Sequence, residues 1–509
     1  MLNRIIKLLM SRLSTISILI ILQVGMLAGM VYFLSDMFLT IYGALQFMSL
    51  VVVIWLVSKQ DNPNYKLTWV IMILMLPIFG GLFYLLWGNK SLTRSYRNKL
   101  QYHAALPAPV SGADPSLLHR LELEDPQLAA QSRYIRDTTG YELWQDTASM
   151  FYALGDDSFL DMIDALRSAE RFILMEFFII NLGSMWDAIL DILVEKARAG
   201  VRVMLMYDDL GTITYLPLGY ERTLRALGLE VEVFNPYRPH LNMVMNYRDH
   251  RKIVVVDGNV GFCGGFNISD EYINRYERFG HWKDTGVRIS GGAVWSLTRM
   301  FLTLWRFSTD DKSIDFESFR PTENHPTDGM IQPFDDNPID NISVMKDSYL
   351  GMITRATRYL YLTTPYLILD DEMIRALTRT AQCGVDVRII IPHIPDKWYV
   401  HIISRTHYKR LLDGGVRVYE YLPGFIHAKQ IVCDDAMAIV GTTNMDFRSF
   451  YLNYESGVAF YRSSICARVR DDILSTIEAS LEITQQDVAS IPFYQRAVAA
   501  VIKIFEPLL

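Results

Sequence analysis

Cysteine is scarce in these 509 residues. Cys263, Cys383, Cys433 and Cys466 stand far apart, with no C-x-x-C pair and no spacing of a disulfide framework or zinc knuckle. They read as small core residues of a reduced, cytosol-facing domain. No H-E-x-x-H and no His/Cys cluster is present either, so the sequence calls for no metal and no cofactor. Excess basic charge is missing too. The net charge is −7, which removes the usual electrostatic footprint of a nucleic-acid binder and leaves only clustered basic residues to carry function. Charge of either sign is absent from three N-terminal gaps, between Arg12 and Asp36, between Asp36 and Lys59, and between Lys66 and Lys90. Each gap is long enough to cross a hydrocarbon core of about 30 Å, so N-terminal transmembrane helices are expected. With no small-residue cleavage site after the first, the anchor is expected to stay attached.

The charges between the gaps suggest a topology. Arg4, Lys7 and Arg12, then Lys59 and Lys66, then Lys90, Arg94, Arg97 and Lys99 all belong on the cytoplasmic side by positive-inside counting. That predicts a hairpin of the first two segments and a third, broken by Pro77, Gly80 and Gly81, that dips in without crossing. An ordinary third span is the alternative. The chain then divides into a membrane anchor with a basic linker (1–110), a first soluble half (111–330) and a second (331–509) that ends in an amphipathic segment. The proline-rich stretch from Arg320 to Asp340 separates the halves.

The halves repeat one another. "RFILMEFFIIN", "AGVRVMLMYDD" and "LGLEVEVFNP" in the first answer to "RYLYLTTPYLI", "CGVDVRIIIPH" and "GGVRVYEYLP" in the second, with amphipathic helical patterns between. This predicts an α/β fold with a mostly parallel sheet flanked by helices in each half. Each half then places the same five residue types at the same offsets: His250, Lys252, Asp257, Gly264 and Asn267, and His427, Lys429, Asp434, Gly441 and Asn444. Two-residue turns at Gly258-Asn259 and Asp435-Ala436 would set His250 across from Asn267 and His427 across from Asn444. Gly265 and Thr442 would then lie opposite the lysines and leave space for a ligand.

Two imidazoles, two ammonium groups and two amides suit phosphoryl chemistry. One neutral imidazole attacks phosphorus, the other protonates the departing alkoxide, and the lysines and asparagines hold the phosphoryl oxygens. Asp284 in "HWKDTGVRIS" and Glu455 in "NYESGVAFY" occupy matching places and are the candidates for orienting the imidazoles. Asp257 and Asp434, at the turns, are expected to be structural.

The paired stretches "HRKIVVVD…GGFN" and "HAKQIVCD…GTTN" resemble the HKD motifs of the phospholipase D superfamily. The resemblance extends to bacterial cardiolipin synthases through "WVIMILMLPIFGGLFYLLWG", "TTPYLILDDEMIRALTRTAQCGVDVRIIIP", "GTTNMDFRSFYLNYE" and the ending "IFEPLL". It implies two phospholipase D-like halves sharing one active site. It also implies transfer of a phosphatidyl group between two phosphatidylglycerol molecules, at the bilayer, through a phosphohistidine. His250 would be the nucleophile by analogy. The competing reading is a membrane-anchored phospholipase D that hydrolyses. A nuclease is disfavoured by the apolar segments, an inert scaffold by the intact double motif, and self-association is left open. Upstream of His250 the first half carries an eight-residue insertion, since 17 positions separate Val233 from His250 and 9 separate Val418 from His427. Leu241, Met243, Val244 and Met245, flanked by Arg238, His240 and Arg248, mark this insertion as a lip for lipid entry, or as a cap over its own domain.

Overall fold

The computed structural model describes residues 21, 24–25, 29, 35–59, 62–76, 80–88, 94–104, 111–236, 246–340 and 342–506. Two compact units emerge. The smaller is N-terminal; the larger holds Arg94–Arg238 and Asn246–Pro507, and so both halves.

In the smaller unit helix Ser35–Ser58 precedes helix Pro63–Met75, which Asn62 caps through Asn64 N at 2.9 Å. Trp69 is buried there against Phe83 and Tyr84, and Tyr65 donates to the Gly88 carbonyl at 2.7 Å. The expected transmembrane helices require correction: among the described residues no helix is long and apolar enough to cross a membrane. The third apolar segment shows why. Its 13-residue helix stops at Met75, about 20 Å at 1.5 Å per residue, and the chain resumes as the short turns Gly80–Phe83 and Tyr84–Gly88. Most of the first segment, Pro77, and the insertion at 237–245 with Met243 and Met245, lie outside the described residues.

The larger unit contains two sheets. The first half contributes β1 (Thr147–Tyr152), β2 (Phe172–Phe177), β3 (Arg202–Asp208), β4 (Glu230–Phe234), β5 (Arg248–Asp249), β6 (Ile253–Val256), β7 (Val260–Gly264), β8 (His281–Lys283) and β9 (Gly286–Gly291). The second contributes β10 (Met330–Asp336), β11 (Tyr359–Thr363), β12 (Asp386–Pro392), β13 (Arg417–Tyr421), β14 (Gly424–Ile426), β15 (Gln430–Cys433), β16 (Met437–Gly441), β17 (Asn453–Tyr461) and β18 (Ser480–Ile483). One sheet runs β1-β9-β7-β6-β2-β3-β4, the other β10-β17-β16-β15-β11-β12-β13-β18. The duplication is visible strand for strand, but the sheets are mixed rather than mostly parallel. Along these two orders only β2-β3-β4 and β11-β12-β13 run parallel, because each motif closes an antiparallel hairpin that helix alternation does not reveal. The helix Val294–Thr309, buried from Val294 through Leu302, packs on β2, β4 and β6 of one sheet and on β10 of the other.

The hairpins depart from the expected register by one residue. Ile253 faces Cys263 and Val256 faces Val260, while Gln430 faces Val440 and Cys433 faces Met437. Each turn therefore has three residues, Asp257-Gly258-Asn259 and Asp434-Asp435-Ala436. The aspartates account for it. Asp257 takes φ 55° and Asp434 φ 55°, followed by Gly258 at 74° and Asp435 at 58°. In that conformation the Asp257 carboxylate accepts from the N–H groups of Glu170, Arg171 and Phe172, and Asp434 from those of Thr357, Arg358 and Tyr359. The slip matters because neighbouring strand positions face opposite ways. The motif residues themselves, 250–252 and 427–429, fall in irregular chain between strands, so strand alternation does not orient them.

Replacing Asp257 or Asp434 by Ala orphans three N–H groups at the head of β2 or β11. Each change is expected to cost about 1–3 kcal/mol, read as a lower urea midpoint with unchanged m-value. Burial works to raise the Asp434 carboxyl, but the Tyr359, Thr357 and Arg358 N–H groups hold it below the usual value. Its contribution is therefore full at neutral pH and is lost as pH falls through that lowered value, so the wild-type and D434A stabilities converge in acid.

Candidate active site

Each candidate stretch is held by the other half. The short strand β5, which leads into His250, pairs in parallel with β17, setting Asn453 beside Arg248 and Tyr454 beside Asp249. Likewise β14, which leads into His427, pairs with β8, setting Ile426 beside Lys283. The main chain continues both pairs by one bond: His250 N donates to Tyr454 O at 3.0 Å, and His427 N to Lys283 O at 2.7 Å. The next residue on each partner strand is the carboxylate. His250 Nδ1 lies 2.9 Å from Glu455, and His427 Nδ1 lies 2.6 Å from Asp284 Oδ2. The orienting groups are thus exchanged between halves, an arrangement that the matching places of Asp284 and Glu455 do not reveal.

An ionised carboxylate only accepts, so Nδ1 of each ring carries the proton and Nε2 is left with its lone pair. Lys429 Nζ also lies 2.7 Å from His427 Nδ1, but a ring nitrogen that donates to Asp284 has nothing to offer an ammonium. Lys429 therefore donates to the His427 carbonyl oxygen, and Lys252 Nζ donates to the His250 carbonyl at 2.6 Å. The lysines consequently sit in matching postures.

The space expected opposite the lysines is already filled. A Cβ at Gly265 would lie 2.1 Å from Asp284 Oδ1 and 3.2 Å from Lys429 Cδ, so glycine admits the other half's carboxylate rather than a ligand. Thr442 at the matching position donates its hydroxyl to Glu455. Asn267 accepts from Ile179 N at 3.0 Å and donates to the Tyr272 hydroxyl at 2.8 Å, while the buried Asn444 Oδ1 has no hydrogen-bond partner. Tyr272, Trp282 and Phe425 enclose His427 with ring centroids 5.4, 5.5 and 5.9 Å away, and Phe178 stands 5.2 Å from His250. Sequence reasoning passed over these aromatics, which carry no signal beyond ordinary core residues.

His250, Lys252, His427 and Lys429 are buried to 8, 2, 6 and 1 % exposure, and that burial sets their charge. It drives the Lys252 ammonium down to about 8 and Lys429 to about 7. Burial and the Lys429 charge lower His427 to about 4, and burial with Lys252 and Lys429 holds His250 well below its ordinary value. Both rings are thus neutral at pH 7 before an anion arrives. Burial lifts Glu455 to about 7. Asp284 is pressed upward by burial too, but the neighbouring His427 and Lys429 bring it below the usual carboxylate value. Among the described residues no group of three or more His, Cys, Asp or Glu could hold a metal ion.

Two α/β halves that exchange orienting carboxylates around a His/Lys pair define a duplicated fold with one shared centre. A phosphatidylserine synthase structure from Haemophilus influenzae has the same fold, with TM-score 0.52 and 13 % identity over 71 % of this chain and 95 % of that one. The profile described as "Cardiolipin synthase, PLD-like domain" matches residues 162–282 and 349–476, and that of "Phospholipase_D-nuclease N-terminal" matches 44–89. An uncharacterized Streptococcus mutans protein is 36 % identical over 90 % of this chain and 99 % of its own length. The cardiolipin synthase of Geobacillus kaustophilus is 34 % identical over 97 % of this chain and 99 % of its own. The chain belongs to the cardiolipin synthase family of the phospholipase D superfamily.

The lowered lysines set a pH limit. An ammonium that binds phosphate is lost above its pKa, so kcat/KM on a water-soluble phosphodiester should fall once pH exceeds about 7 to 8. The slope should approach tenfold per pH unit where one ammonium is lost and steepen toward a hundredfold where both are. A flat profile up to pH 10 would mean that neither lysine holds the phosphate.

Proposed function

We propose that this protein transfers a phosphatidyl group from one phosphatidylglycerol to the hydroxyl of another, giving cardiolipin and glycerol. The observation that carries this reading is the pair of neutral, Nδ1-anchored imidazoles beside two buried ammonium groups, in a chain of the cardiolipin synthase family. In the first step the bound phosphodiester anion offsets the lysines and His427 takes up a proton at Nε2; His250 Nε2 attacks phosphorus, the bond from phosphorus to the glycerol oxygen breaks, and the His427 imidazolium gives that oxygen its Nε2 proton. In the second, neutral His427 takes the proton from the acceptor hydroxyl, whose oxygen attacks phosphorus and releases His250. Lys252, Lys429, Asn267 and Asn444 hold the phosphoryl oxygens through both steps, while Glu455 and Asp284 fix the ring tautomers.

The N-terminal unit is assigned to the bilayer, where Phe47, Ile54, Leu67 and Met75 expose apolar surface, with the catalytic unit on the cytoplasmic face. Hydrolysis would use the same catalytic residues, so products decide. Labelled phosphatidylglycerol should yield glycerol and cardiolipin; phosphatidic acid as the main product would make the enzyme a hydrolase. His250→Ala and His427→Ala should each lower synthesis about a thousandfold or more. Mass spectrometry of quenched enzyme should find the phosphatidyl adduct on His250. An adduct on His427 would reverse the two roles.

A further inference from the structure

The two halves share a frame but not a charge. Asn444 is followed at four residues by Arg448, on the short helix Phe447–Tyr451; at the matching place after Asn267 stands Glu271, paired with Arg278 at 3.2 Å. Arg448 Nη2 approaches the Asn246 carbonyl at 3.5 Å, on the segment that runs through β5 to His250. A second cation stands at the same edge. Lys397 is exposed on the loop beyond the carboxyl end of β12, the edge of an open α/β sheet at which ligands collect. Its ammonium lies 4.9 Å from the ring centre of Tyr366, whose hydroxyl is fixed by Asp396 at 2.6 Å. Tyr366 sits just past the end of β11, beside Thr364, which accepts from the main chain next to Asn444. Across the motif, Asp446 is spent as the cap of the Arg448 helix. In the first half β3 ends on Asp208 and is followed by Asp209, not by a cation.

A phospholipid acceptor differs from water or glycerol in one respect that matters here: it brings a phosphodiester anion of its own. Lys252 and Lys429 are both turned to the carbonyls of the catalytic histidines, placed for the phosphorus that reacts. We propose that Lys397 and Arg448 form a second anion subsite, on the His250 side of the centre, that holds the phosphodiester of the acceptor lipid. Both cations flank the Asn444 segment, Arg448 four residues beyond it and against the Asn246 carbonyl, Lys397 over Tyr366 beside the Thr364 that binds Met445 N. This rests on the phosphatidyl-transfer reading and deepens it by saying how a lipid alcohol is preferred over smaller ones.

The test compares two acceptors on the full-length enzyme in phosphatidylglycerol vesicles. Cardiolipin formation uses an anionic acceptor, whereas exchange of labelled glycerol into phosphatidylglycerol uses the same donor and chemistry with a neutral one. Lys397→Met and Arg448→Met should each lower the ratio of cardiolipin formation to glycerol exchange about tenfold, and the double variant about a hundredfold. Arg448→Lys should recover part of the loss. An unchanged ratio in both single variants, whether the two rates fall together or not at all, overturns the subsite; exposed Lys397 guards against a loss that is only misfolding. Failure of the underlying reading looks different, since wild-type enzyme would then form phosphatidic acid in place of cardiolipin before any variant is made.

Discussion

The exchange of carboxylates between halves is the constraint on which the site depends. His250 is useful only while Glu455 holds its Nδ1 proton, and Glu455 belongs to the other half; His427 and Asp284 repeat the debt in reverse. Neither half is a small enzyme that has been doubled. Each is an incomplete site, finished by a parallel strand pair of two or three residues, β5 with β17 and β14 with β8. Those pairs are short, so something else must keep the halves in register.

A buried ionic cluster behind the first motif does so. Arg251, between His250 and Lys252, turns away from the centre and bonds Glu176 at 2.7 Å and Asp335 on β10 of the other half at 2.9 Å, with Asp249 nearby at 3.4 Å. Burial pushes Glu176 and Asp249 above their ordinary values, with Arg251 drawing both back. Removing the arginine would strand buried carboxylates, a loss of about 3–5 kcal/mol in comparable pairs, whereas the intact cluster adds little net stability. Its use is positional. The second motif manages without it: Ala428 replaces the arginine and Thr363 replaces Glu176, with Thr363 donating to the Ala428 carbonyl at 3.1 Å. Because the arginine and the glutamate are lost together, neither half buries one of those charges without its partner.

Much of this was legible in the sequence, and the limits have physical causes. Two five-residue constellations at identical offsets announced the duplication and the chemistry, because offsets survive in sequence whatever the fold does with them. The carboxylates Asp284 and Glu455 were legible as a matched pair but not as a crossed one, since sequence similarity between halves carries no information on which partner each reaches. The one-residue error in the hairpins came from treating the motif aspartates as bystanders of a two-residue turn. Their carboxylates gather three N–H groups each, and that demand pulls the aspartates into the left-handed region and lengthens the turn. The apolar gaps were read as membrane-spanning helices from length and hydropathy alone. Those measures cannot see that the 13-residue helix that enters the third gap stops at Met75.

A symmetric frame poses a problem that the chemistry must resolve, because transfer needs one imidazole as nucleophile while the other supplies a proton. The two carboxylates differ in the required sense. Asp284 stays ionised at neutral pH beneath His427 and Lys429, so it can stabilise a His427 imidazolium as soon as a bound phosphate offsets the lysines. Glu455, raised by burial rather than held low, gives an imidazolium at His250 less support. This difference supports the proposed assignment, in which His250 is the ring kept neutral, with its Nε2 lone pair free to attack, and His427 the one that carries the proton. An Asp in one half and a Glu in the other, hardly distinguishable as sequence, meet different electrostatic surroundings once each is buried against its own set of neighbours.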